Sequence, residues 1–201
     1  MRDQTPFRRG PVTVGLVRDE NGFAKVRMVR AVYIANQDCP YLEEMDGNDF
    51  CASHILAEVD GNPAGTIRLR WFAGFCKVER ITVIPRFEGP QYGVVRAMAE
   101  FGLPIIAAKG YTRIVTHAQE RLAGAWRRVF RFLQPTGQTF AMSDHGYVVL
   151  AGDLRLEVPV IGEATDPLVM NRPEGAWDRP GVLDASAERP ATNIHRRRSG
   201  D

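Results

Sequence analysis

Gly89 and Gly93 stand in a turn, Arg86 to Gly93, between a run rich in β-branched residues and a run of helically spaced apolar ones. Val78, Ile81, Val83 and Ile84 supply a strand. Pro85 ends it, because proline donates nothing to a sheet ladder. Val94, Val95, Met98, Phe101 and Ile105 then recur at helical spacing. A glycine-bearing turn that feeds a helix aims several backbone N–H groups at one spot, which suits the phosphates of a nucleotide-like cofactor. Pro90 removes one donor from that cradle, although it fits a first helical position. An ordinary strand–turn–helix with turn glycines accounts for the same residues. Elsewhere Glu43, Glu44, Asp46 and Asp49 form an acidic loop, most simply a solvated one. His54, His117 and His145 are isolated, and Cys39, Cys51 and Cys76 lack metal-ligand spacing, so no metal site is expected.

The elements that must hold these residues follow from patterning. The 201 residues are 44% hydrophobic and 25% charged, enough for one buried core and a tail. A net charge of +2 gives no case for a nucleic-acid or membrane partner. No apolar run could span a bilayer, and the N-terminus lacks the apolar core of a secretory signal. Three scattered cysteines suggest a reduced cytoplasmic compartment. A strand over Val12 to Val17 precedes a helix capped by Asp19, with Val26, Val29, Val32, Tyr33 and Ile34 on its apolar face. A polar loop, Gln37 to Asn48, leads to strands Cys51–Val59 and Ala64–Trp71 around Asp60-Gly61-Asn62-Pro63. After the strand and helix described above, where Pro104 should kink or interrupt the helix, come a strand at Thr112–His117 and an amphipathic helix at Ala118–Leu133. Two last strands, Gln138–Met142 and Tyr147–Leu154, flank Asp144-His145-Gly146. The expected organisation is an N-terminal extension over 1–10, a domain over 11–158 and a disordered tail over 159–201 that ends in a basic NIHRRRSGD. The order β-α-β-β-β-α-β-α-β-β predicts an α/β fold, a mixed central sheet flanked by helices.

Val78-Glu79-Arg80-Ile81-Thr82-Val83-Ile84-Pro85, followed by Arg86 and Gly89, resembles the acyl-CoA pyrophosphate motif of the GNAT acyltransferase superfamily. That motif is a strand ending in proline and then R/Q-x-x-G-x-G/A. Gln91 stands where the family has Gly or Ala, and Gly93 comes two residues late. The element order over residues 11 to 155 is also that of GNAT folds. The resemblance implies an acyl-CoA N-acyltransferase with Ile81, Val83, Gly89, Gln91, Tyr92 and Gly93 at the cofactor. A second resemblance lies in a helix carrying Arg27, Arg30 and Tyr33, then Asp46 and Asp49, followed by Gly65-Thr66-Ile67-Arg68-Leu69. It is similar to the D-x-x-D and G-x-x-R-L of acyl-homoserine-lactone synthases and related N-acyl amino acid synthases. Lys77 departs from that branch, which has Glu there.

Acyl transfer to an amine needs a group to take the amine's proton, and the resemblance points to Glu79, with pairing to Arg80 or a neighbouring strand as its plainer role. The departing thiolate usually receives a proton from a Tyr on the last helix of GNAT enzymes. Here Trp126 falls near that position, and indole cannot act as that acid. Tyr92 and Tyr147 remain as substitutes. Asp46, Asp49 and Arg68 are the expected acceptor-binding residues, since carboxylates there could hold an ammonium group. Arg121, Arg127, Arg128 and Arg131 give the last helix a basic face, open to an acidic carrier protein. Transfer of an acyl group, acetyl by default, from acetyl-CoA or another acyl-CoA to a small-molecule primary amine is the leading expectation. An acyl-carrier-protein-dependent synthase of the autoinducer type is the alternative, and a non-catalytic GNAT-fold binding protein is a third. No metal is needed, and a homodimer stays open.

Overall fold

The computed structural model describes residues 7–37 and 39–188, and within it residues 7–160 form one unit. Eight strands make a single mixed sheet in the order β1-β2-β3-β4-β5-β6-β8-β7. They are β1 (Phe7–Arg9), β2 (Val12–Leu16), β3 (Ser53–Val59), β4 (Asn62–Phe72), β5 (Phe75–Val83), β6 (Arg113–Gln119), β7 (Gln134–Met142) and β8 (His145–Asp153). The helices are α1 (Glu20–Gln37), the one-turn α2 (Tyr41–Glu44), α3 (Val94–Ala108) and α4 (Glu120–Val129). All strand pairs are antiparallel except β5 with β6.

Local chemistry explains most boundaries. Asp19 caps α1 by accepting from Gly22 N–H at 2.7 Å. Asp60 and Gly61, both at positive φ, form the two-residue turn between β3 and β4. Ser143 and Asp144, also at positive φ, do the same between β7 and β8, so the turn lies before the expected Asp144-His145-Gly146. α3 continues through Pro104, so the helix is not interrupted there. One lost backbone bond is outweighed there by the buried turns around it, Gly102, Ile105 and Ile106. Phe7–Arg9, expected to lie in an extension, pairs with β2 as an edge strand.

α1 covers one face of the sheet, while α3 and α4 cover the other. Gly65 on β4 lets α3 approach, since a Cβ there would fall 2.7 Å from Val94 Cγ1 and 3.1 Å from the Thr82 carbonyl. Three residues on, Arg68 points to the opposite face, toward α1. The core lies between these layers, with Ile55, Ile67, Leu69, Met98, Ile106, Ile114 and Leu150 fully buried.

Residues 161–188 belong to a second compact unit. They were expected to lack order, yet they carry α5 (Pro167–Met170) and α6 (Val182–Ala187). Asp166 caps α5 through Leu168 N–H, and Arg172 pairs with Asp184 at 2.8 Å. These local polar bonds organise a segment whose apolar residues are too sparse to announce helices. The basic end NIHRRRSGD lies outside the described residues.

Candidate active site

β5 and β6 are neighbours in this sheet that part company. Their ladder holds at Cys76–Ile114 and Lys77–Val115 and has no further rung. Beyond it, β5 carries a bulge. Thr66 opposes Thr82 and Arg68 opposes Glu79, so Arg80 and Ile81 together face Ile67. Arg80 takes the left-handed backbone, φ 51°, which costs a non-glycine residue roughly 1–2 kcal/mol. The bulge reverses the pleat, so Glu79 and Thr82 share the α1 face while Val78 and Ile81 share the other.

The opening between the two strands is a two-lobed cleft. The smaller lobe, about 80 Å³, is walled by Glu44, Glu79, Arg80, His117, Gln119 and Tyr147 among others. The larger, about 430 Å³, runs along Ile81, Thr82 and Val83 to Pro85, Glu88 and Val95, with α1 and α4 on its sides. Tyr33, Ile81, Thr82, Leu122 and Trp126 border both.

An ion network closes the inner end of the small lobe. Arg68, 1% exposed, donates to Glu79 Oε1 at 2.9 Å, to Asp46 at 2.7 and 2.8 Å, and to Asp49 at 2.8 Å. Arg30, fully buried on α1, bonds Glu44 at 2.7 Å and Asp49 at 2.5 Å. Lys77 holds Glu79 Oε2 at 2.6 Å. Arg80 reaches Asp46 at 3.2 Å and the Glu43 carbonyl at 2.6 Å, and its Nε lies 3.3 Å from Glu44 Oε2 without hydrogen-bond geometry. Burial pushes the carboxyls of Asp46, Asp49 and Glu79 up, but the surrounding cations outweigh it, and all three lie below the usual range. Arg68 is held more firmly protonated in return.

The structure therefore brings Asp46, Asp49, Arg68 and Glu79 together, and they satisfy one another. The partners of Glu79 are Arg68 and Lys77 rather than Arg80. Arg30, noted in the sequence only as part of the second resemblance, was not among the expected site residues. Its signal was a charge in the apolar stripe Val26-Arg30-Tyr33, where a cation survives only if paired.

Hydroxyls and imidazole line the rest of the lobe. Tyr147, buried, accepts from Gln119 Nε2 at 3.3 Å, and Tyr33 lines the same lobe. Burial and the neighbouring Tyr147 push the Tyr33 phenol up. Burial and Lys77 lower the His117 imidazole, leaving it neutral at pH 7. Tyr92 packs edge-on against Phe87 at 5.6 Å and is not among the lining residues of either lobe.

The phosphate cradle differs from the expected one. Tyr92 and Gly93 both donate to the Gly89 carbonyl, so these N–H groups close the turn. The Gln91 side chain folds over Gly89, where a Cβ would meet its Oε1 at 2.5 Å. Gly93, φ 59°, is the N-cap of α3, and Pro90 lies before the helix rather than in it. The first helical bond is Ala97 N–H to Gly93, which leaves the N–H groups of Val94, Val95 and Arg96 at the helix mouth.

No protein-family model matches this chain. Over 103 residues, half of this chain and 69% of the relative, it is 27% identical to a Bacillus subtilis (strain 168) protein named as a candidate acetyltransferase. Solved structures align over most of its length. A candidate N-acetyltransferase from Lactobacillus plantarum gives a TM-score of 0.65 at 15% identity, over 73% of this chain and all of the other. An acyl-CoA N-acyltransferase from Pseudomonas aeruginosa gives 0.61 at 18%, over 70% and 99%. A GNAT family acetyltransferase from Elizabethkingia anophelis, solved with acetyl-CoA bound, gives 0.54 at 12%, over 73% and 100%. The fold is that of the GNAT N-acyltransferases. Among the described residues no helix is long and apolar enough to cross a membrane, and no cluster of His, Cys, Asp or Glu could hold a metal ion.

Proposed function

We propose that the chain is an N-acyltransferase that moves an acyl group, acetyl by default, from acyl-CoA to a primary amine. The parting of β5 from β6 carries this reading. It leaves the β5 backbone beyond Lys77 without a β6 ladder and opens a cleft from a helix N-terminus to a charged inner lobe. These residues fit an acyl-CoA. The N–H groups of Val94, Val95 and Arg96, with the α3 dipole behind them, suit a pyrophosphate. The free edge of Ile81 to Val83 suits an extended, amide-bearing arm, as an added strand would. When bound, such a donor supplies an activated thioester carbonyl.

The chain's own side chains then have three tasks. Glu44 and Glu79 attract an ammonium group into the small lobe. Glu79, held low by Lys77 and Arg68, is a weak proton acceptor by itself, so its part is to orient a relay water. Neutral His117 in the same wall receives the proton. Tyr147, braced by Gln119, gives a proton to the departing thiolate, a task Trp126 cannot perform. Asp46, Asp49 and Arg68 act by fixing Glu79 and Arg80 rather than by gripping the acceptor.

A carrier-protein donor is a second reading, supported by the exposed Arg127 and Arg128 on the helix whose Trp126 borders the cleft. Calorimetry with CoA and acetyl-CoA, followed by thiol release across amino acids, polyamines and peptide N-termini, tests the proposal. Saturable binding with turnover of at least one amine is expected. Binding without turnover of any amine returns the non-catalytic reading, and absence of binding removes the donor assignment.

A further inference from the structure

Building on the acyl-CoA reading, we propose that Trp126 sets the length of the acyl chain, keeping the enzyme to short donors such as acetyl and propionyl thioesters. Trp126 and Ile81 border both cleft lobes and also a third hollow behind them. This third space is a seam too narrow for a water molecule, walled by Val78, Ile114, Phe130 and Leu133, with Thr116 also on its lining. All four walls are buried core residues. The seam lies where β5 and β6 have parted, so side chains rather than a hydrogen-bonded ladder determine its width. The β5 bulge turns Val78 and Ile81 to the same side and so aligns one wall.

An acyl chain growing from a carbonyl beside Ile81 has one apolar direction to take. The larger lobe is filled by the donor's own arm on this reading. The far wall of the small lobe carries Glu44, Glu79 and Arg80, which disfavour methylene groups. The remaining direction is the seam, and the Trp126 indole, packed 6.5 Å from the Phe130 ring, stands across it. With the indole cut back, the apolar walls should favour each admitted methylene by about fourfold. The residue that replaces the family's usual tyrosine thus acquires a role in selecting the donor.

The test compares wild type, Trp126→Ala and Trp126→Phe with acetyl-, butyryl-, hexanoyl- and octanoyl-CoA. Calorimetric Kd is read for every pair, and kcat/KM with one amine where turnover occurs. The readout is the hexanoyl-to-acetyl ratio within each protein. Wild type should favour acetyl by tenfold or more. Trp126→Ala should shift that ratio toward hexanoyl by at least tenfold, with Trp126→Phe between them. Circular dichroism and thermal melts check folding, and Trp126→Phe, which keeps a ring against Phe130, carries the test should the alanine variant not fold. One length profile shared by the folded proteins, or a wild type that takes hexanoyl as readily as acetyl, overturns the proposal and leaves the acyl-CoA reading standing. A wild type that binds none of the four esters overturns both.

Discussion

Replacing Arg68 by methionine should cost about 3 kcal/mol of stability at pH 7, and the cost should shrink in acid. Arg68 is 1% exposed and is the common donor to Glu79, Asp46 and Asp49. Methionine keeps much of the stem and loses the charge. Removing one partner of a buried ion pair costs roughly 3–5 kcal/mol, because the other charge stays buried and uncompensated. Here each carboxylate keeps a second cation, with Arg30 on Asp49, Arg80 on Asp46 and Lys77 on Glu79, which puts the loss at the low end. With an m-value of about 2 kcal/mol per molar urea, the midpoint should fall by about 1.5 M. The pH dependence separates this cause from a packing defect. In the parent the three carboxyls lie low, so their contribution is complete above their unfolded values, about 4, and is lost as pH falls through the depressed ones. Without Arg68, burial raises them, and that destabilisation is relieved as they protonate. Urea titrations of parent and variant at pH 7, 5, 4, 3 and 2.5 should therefore converge toward the acid end. A gap that stays constant across this range, or one below about 1 kcal/mol at pH 7, would falsify the account of the network.

Three further outcomes are expected. Gly93→Val should weaken CoA binding by about tenfold in calorimetry, since a β-branched residue at φ 59° strains the N-cap of α3 by roughly 1–2 kcal/mol. Tyr147→Phe should lower kcat by about a hundredfold and leave donor Kd unchanged, in line with loss of a general acid. A parent-like kcat would mean that another group or water protonates the thiolate. Arg127→Glu with Arg128→Glu should abolish turnover of an acyl-carrier donor, most visibly at low salt, and barely change turnover of acyl-CoA. Equal losses with both donors would count against a docking role for this helix.

The sequence carried the fold further than the site. β-branched runs, the Asp60-Gly61 turn and the Asp19 cap act over a few residues, so they can be seen without tertiary knowledge. The edge strand Phe7–Arg9 could not, because three residues become a strand only by pairing with β2. That α3 continues through Pro104 could not be read either, since the proline's cost is local while the burial that outweighs it is not. At the site, Asp46, Asp49, Arg68 and Glu79 could be picked out by type and spacing. Their mutual neutralisation could not, because Arg30 reaches Asp49 from α1; Lys77, two residues from Glu79 on the same face of β5, is the one partner within local reach. His117 and Trp126 join the site only because β6 leaves β5, an event with no signature in either strand alone.

A β-strand is a device that counts in twos, and Arg80 is where β5 skips a count. Upstream and downstream halves of the strand are in opposite phase, and both the charged wall and the apolar seam depend on that slip. Deleting this one residue would remove an arginine and make the two strands match in number between their flanking pairs, with Glu79 and Thr82 still on one face. A ladder held by Cys76–Trp71 at one end and Val83–Gly65 at the other would have to restore a flat pleat or break. With Arg80 kept and the bulge flattened onto the lower register, Ile81 and Thr82 would instead exchange sides, putting a second hydroxyl into the seam and an aliphatic chain among the ions. The cleft is therefore specified as much by how the residues between Glu79 and Thr82 pair as by which residues they are.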